Sequence, residues 1–110
     1  MKNTVDFIKV CPIISPRSGE AVRNQYTIKY RGGVAFQSYD SLIAAYDMET
    51  ETLRLGRRYD YSVTTLKYLH EWLKTYRYNL YKELPQGKSF KDTLQKAIAA
   101  GIIKYDPSMV

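Results

Sequence analysis

The residue types that could do nucleophilic chemistry are sparse in this chain. There is one cysteine, Cys11, and one histidine, His70. A nucleophile needs a base within hydrogen-bond reach. Cys11 falls in an alternating segment beside Pro12, and His70 in the middle of a helical pattern, so nothing in their spacing pairs them. There is no Gly-x-Ser-x-Gly elbow to present a serine. One Cys and one His also fall short of the ligands a zinc site wants. Glu49 and Glu51, with Thr50 and Thr52 beside them, read as a solvated hairpin tip and not as an acid–base pair. Gly32-Gly33 lacks the spacing of a phosphate loop. The expectation is a protein that is not an enzyme and uses no metal or cofactor.

Binding chemistry remains. Arg54, Arg57 and Arg58 form the densest basic cluster, and Lys67, Lys74 and Arg77 follow in a helical segment with Tyr78 and Tyr81. Cationic side chains neutralise phosphates, and aromatic rings stack on bases. These eight residues are the candidate contacts to nucleic acid or another partner. The rival reading of the arginine cluster is edge-strand charge that discourages edge-to-edge pairing. The net charge is +6 and the pI about 9.4. Residues 1–47, 48–87 and 88–110 each carry +2, so any basic patch must be assembled by folding. No DNA- or RNA-reading motif is present, so sequence-specific recognition is not expected. Eleven tyrosines give many rings that need a wet hydroxyl. That composition also suits adaptable binding surfaces.

The elements that position these residues can be read from period and punctuation. At 110 residues a single domain is expected, mainly β over 1–58 and mainly helical over 59–110. Val5–Ile14 reads as a first strand, with Pro12 placing it at an edge. Residues 25–30 and 34–39 read as a hairpin turned by Gly32-Gly33. Tyr39-Asp40-Ser41 reads as a kink or bulge, and strands follow over 42–46 and 52–55. Ser62 is the favoured N-cap of a long helix, about 62–84, ended by Pro85-Gln86-Gly87. Ser89 resembles the start of a capping box for a second helix, about 90–100, with Gly101 at its C-terminal cap. Residues 102–105 suit a short strand. No βαβ rhythm appears. The fold class expected is α+β: a small antiparallel sheet of four or five strands packed on one long helix and a second C-terminal helix. Leu73 should face the sheet, and Trp72, about 100° round the helix, the C-terminal helix near Leu94 or Ile98.

Two stretches carry a family resemblance. Phe36-Gln37-Ser38-Tyr39-Asp40-Ser41-Leu42-Ile43-Ala44 is followed by Tyr59-Asp60-Tyr61-Ser62-Val63-Thr64-Thr65-Leu66-Lys67-Tyr68. Together they resemble a family of short proteins of unknown function found mainly in phages and other mobile elements. The match spans about residues 24–73, and the double Thr followed by Lys67 is its most specific part. Tyr68 stands where a His is common in that family. The resemblance implies a mobile-element accessory protein and supplies no reaction. Two expectations follow: binding to nucleic acid or a host nucleoprotein, or inhibition of a host defence protein in the manner of an anti-CRISPR. No apolar run approaches the roughly 18 residues of a membrane span, and Met1–Thr4 does not open a signal peptide. With a single Cys, these suit a reducing cytoplasm, and the resemblance implies that of a bacterial host.

Overall fold

The computed structural model describes residues 8–110, and the expected strand positions Val5, Asp6 and Phe7 lie outside the described residues. Six strands form one mixed sheet. Five follow one another as an antiparallel meander: β1 (Ile8–Ile14), β2 (Ala21–Tyr30), β3 (Gly33–Ser38), β4 (Ser41–Asp47) and β5 (Thr52–Gly56). Three helices come next, α1 (Val63–Tyr76), α2 (Tyr78–Lys82) and α3 (Phe90–Ala99). The last strand, β6 (Lys104–Asp106), then pairs with β5 in parallel. The α+β class agrees with the sequence reading. The wholly antiparallel sheet of four or five strands does not: the short strand expected at 102–105 forms at Lys104–Asp106 and joins the sheet as a sixth strand parallel to β5, a pairing with a distant segment that alternation does not encode.

Turn chemistry shifts by one residue from expectation. The β2–β3 turn is Arg31-Gly32, with Gly32 at φ +95°. Gly33 is already in β3, opposite Tyr30 and Asp47. It has to be glycine for space: a Cβ there would meet the Tyr46 carbonyl oxygen and, at 2.6 Å, the Tyr30 hydroxyl. Tyr39-Asp40 makes a two-residue turn with Tyr39 at φ +55°. The register slips beyond it, where Phe36 faces Ala44 and Gln37 faces Leu42. This bulge lets consecutive Ile43 and Ala44 both join the core under the helices.

The expected helix caps are formed. Ser62 Oγ accepts the Thr65 N–H at 3.1 Å, and Ser89 Oγ accepts that of Asp92 at 3.2 Å. Gly101, at φ +79°, lets Ile102 N–H return to the Ala97 carbonyl at 2.9 Å. The single helix expected over 62–84 is broken. Arg77 leaves helical geometry at φ −131°, ψ +50°. Its guanidinium carbon lies 3.6 Å from the Tyr46 ring centroid on β4, a contact between distant segments that residue propensity does not encode.

The main core lies between the sheet and the helices. Phe36, Ile43, Leu53 and Leu55 from the strands meet Leu69, Trp72 and Leu73 of α1, Leu94 and Ala97 of α3, and Ile103. Trp72 stacks on Phe36, with centroids 6.2 Å apart, and lies 6.1 Å from Tyr76. It therefore faces the sheet, against the expectation that it would face α3. Helical period fixes the angle between Trp72 and Leu73 but not which neighbour fills it. The α1 ring against α3 is that of His70, 4.6 Å from Phe90. On the other face of the sheet a smaller cluster of Ala35, Ala45 and Met109 packs with Ile28, Tyr30 and Leu42.

Candidate functional site

The two segments that carry the family resemblance meet in space. The β3–β4 turn and the start of α1 enclose a cleft of about 420 Å³. Hydroxyls from Ser38, Ser41, Ser62, Thr64 and Thr65 line it, with Arg58, Tyr61 and Asp40. Thr65 is buried and joins the two walls. Ser62 Oγ donates to Thr65 Oγ1 at 3.1 Å while accepting the Thr65 N–H. Thr65 Oγ1 lies 3.0 Å from Ser38 Oγ. Either hydroxyl of the Ser38–Thr65 pair can be the donor, since Thr65 Oγ1 has a second lone pair beside the one that takes the Ser62 proton.

The electrostatics of the cleft are mixed. Its floor is the positive end of a 14-residue helix with no acidic residue in the first turn. Arg58 adds a full charge, its guanidinium carbon 5.9 Å from the Tyr61 ring centroid. Asp40 opposes them from the β3–β4 turn. Hydroxyls, helix N–H groups and one guanidinium can together hold an anionic oxygen, and Asp40 limits how strongly.

The eight candidate contacts do not form one patch. Arg57 and Arg58 are exposed in the segment between β5 and α1, and of the two only Arg58 lines the hydroxyl cleft. Arg54 is committed elsewhere: it pairs with Asp106 at 2.8 Å and ties β5 to β6. A hydrogen bond from Ser108, and then Arg54, hold the Asp106 carboxyl below its ordinary value. Lys67 and Lys74 lie on the exposed side of α1, Lys67 Nζ 5.2 Å from the Tyr68 ring centroid and Lys74 4.0 Å from Glu71. Arg77 is spent on Tyr46. Tyr78 is exposed and stacks on Tyr81 at 6.3 Å, near the other end of α1. The length of α1, roughly 20 Å, separates the arginine end from the tyrosine end. Among the described residues, no three His, Cys, Asp or Glu side chains gather in a way that could hold a metal ion.

His70 is bound into the helical layer. Its Nε2 lies 2.8 Å from the Tyr81 hydroxyl. Burial pushes its pKa below the ordinary 6.5 and Lys74 adds to this, while Glu71 acts against them. Cys11 is half-buried on β1. The hydroxyl cleft itself was not among the sequence candidates. Its signal was present in the density of Ser and Thr in both family-like segments, but only the fold brings the two together.

No curated protein and no solved structure matches the chain. The model for a family of unknown function, DUF8033, matches residues 8–91. That span runs from β1 into the start of α3 and includes both walls of the hydroxyl cleft. On this match across most of its length, the chain belongs to the DUF8033 family of unknown function.

Proposed function

We propose that this protein is a non-enzymatic accessory protein of a phage or other mobile element, acting in the bacterial cytoplasm by binding nucleic acid or a nucleoprotein. The observation that carries this reading is Arg58 beside the hydroxyl-lined start of α1, with Arg57 exposed one residue before it, at a separate cleft with Tyr59 and Gln95. Phosphate oxygens suit that set of donors, and the net charge of +6 adds long-range attraction. Lys67, Lys74 and the stacked Tyr78–Tyr81 pair extend contacts along a strand. Binding is then weak and without sequence preference. The test is fluorescence anisotropy with labelled single- and double-stranded DNA at two salt concentrations. Affinity should fall steeply with salt, and the double variant Arg57→Glu/Arg58→Glu should abolish binding. Arg54 is left unchanged because of its pair with Asp106. Absence of binding at low salt, or binding insensitive to salt, refutes the reading.

A second reading is direct inhibition of a host defence protein, as an anti-CRISPR does. It is favoured by apolar side chains left in solvent on edge strand β1, where Ile8 is 62% and Val10 57% exposed. Affinity capture from host lysate with and without nuclease separates the two. One stoichiometric defence protein kept after nuclease supports the second reading, and nuclease-sensitive recovery of many proteins supports the first.

A further inference from the structure

Two tyrosines stand at the hydroxyl cleft, and the phosphate contacts described above use neither. Tyr39 lines it from the β3–β4 turn and Tyr61 from the approach to α1. Both are open to solvent, Tyr39 at 47% and Tyr61 at 67% exposure. The backbone under each ring is fixed. The Tyr39 N–H donates to the Asn24 carbonyl at 2.7 Å, and the Tyr39 carbonyl accepts from Gln37 Nε2 at 2.8 Å. The Tyr39 φ of +55° is one that glycine adopts without strain, so the ring stands there against its backbone preference. The Tyr61 N–H donates to the Arg58 carbonyl at 3.0 Å, one residue before the Ser62 cap. The cleft between the two walls, about 420 Å³, has the size of pockets that take small organic molecules.

The other groups in the cleft suit a nucleotide better than a bare anion. Arg58 is exposed, with its guanidinium carbon 5.9 Å from the Tyr61 ring centroid, within reach of the phosphate of a base stacked on that ring. Asp40 lines the same cleft. A carboxylate only accepts, so it repels a phosphate and takes a hydrogen bond from the ring N–H or amino group of a base. The hydroxyls of Ser41 and Thr64 can give or take. In a duplex, pairing occupies the base edges and stacking covers the faces, so a base that enters between two side-chain rings comes from an unpaired strand. Resting on the phosphate reading of this site, we propose that the cleft takes an unpaired base between Tyr39 and Tyr61 and its phosphate at Arg58, so that the partner is single-stranded nucleic acid and not a duplex.

Fluorescence anisotropy at low salt compares a labelled mixed-sequence DNA strand, about 12 nucleotides long, with the duplex it forms with its complement. The single strand should bind about tenfold tighter, the scale of one stacked base. The same sequence as RNA runs beside it: a preference for either sugar identifies the source of the strand, and equal binding supports recognition through base and phosphate alone. Tyr39→Gly suits the φ at that position and Tyr61→Ala removes an exposed ring, so the double variant should fold, which circular dichroism checks. It should bind the single strand no tighter than the duplex. A readout on the wild type needs no variant: with 5-iodouracil in place of one thymine, irradiation joins the base to a ring it stacks on, and peptide mapping should find Tyr39 or Tyr61. A duplex bound as tightly as the single strand, crosslinks confined to Tyr78 and Tyr81, or a single-strand preference kept in the folded double variant overturns the proposal and leaves the phosphate reading standing. No binding of either form at low salt removes both.

Discussion

Trp72→Ala tests whether the aromatic side of α1 is structural. Trp72 is 1% exposed, stacks on Phe36 and lies against Tyr76 in a tilted arrangement. Truncating a buried Trp to Ala costs about 3–5 kcal/mol. Its Nε1, which has no hydrogen-bond partner among the described residues, works the other way: removing it returns part of a penalty of about 1–3 kcal/mol. The net loss expected is about 3 kcal/mol, which at about 4 °C per kcal/mol lowers Tm by about 12 °C. Trp72→Phe keeps a stacking ring and drops the N–H, so it should cost about 1 kcal/mol or less. Urea unfolding followed by far-ultraviolet circular dichroism measures both without relying on the residue removed. Wild-type Trp emission should be blue-shifted and protected from quenchers. A loss below about 1 kcal/mol for Trp72→Ala, or red-shifted, readily quenched emission, would refute the core role and make the Trp–Tyr side of α1 a binding surface.

Two further outcomes are expected. His70 has a lowered pKa in the folded state, so the unfolded chain binds the extra proton first as pH falls below 6.5. Its contribution to stability is complete above 6.5 and is lost as pH drops through the lowered folded value; urea midpoints measured from about pH 7.5 to about pH 5 should decline in the wild type, and less so in His70→Gln. Gly56→Ala should destabilise by about 2 kcal/mol, because its Cβ would lie 2.7 Å from the backbone oxygens of both Leu42 and Met109. Thermal unfolding checks this, and a Tm within a degree or so of wild type would show that the C-terminal segment moves aside at little cost.

What could be read from the sequence was set by local chemistry. Ser62, Ser89 and Gly101 cap their helices as read, because a cap depends on residues within one turn. The meander was legible from alternation and turn residues, with the Gly32-Gly33 turn misplaced by one position because Gly33 answers to Tyr46 across the sheet. The misreadings all involve distant partners. Arg77 belongs to a good helical pattern, and its contact with Tyr46 accompanies a break the pattern does not hold. Trp72 faces Phe36 for reasons of tertiary packing. Of the candidate contacts, Arg54 and Arg77 are taken up by Asp106 and Tyr46, and neither partner is near them in sequence.

The parallel pairing of β5 with β6 sets an order of assembly. Strands β1 to β5 are joined by short connections, so each pairing closes a small loop and can form early. β6 meets β5 only across residues 57–103, which hold all three helices. Non-local pairing is slow because the entropy of loop closure comes before its reward. The three residues of β6 contribute little alone, so they dock once α1 and α3 have brought Lys104 opposite Arg54. Contact order then predicts that the Arg54–Asp106 pair and the Arg57 N–H bond to the Met109 carbonyl form after the meander. The meander registers itself, and the β6 edge acts as a latch whose closing reports that the helical layer is in place.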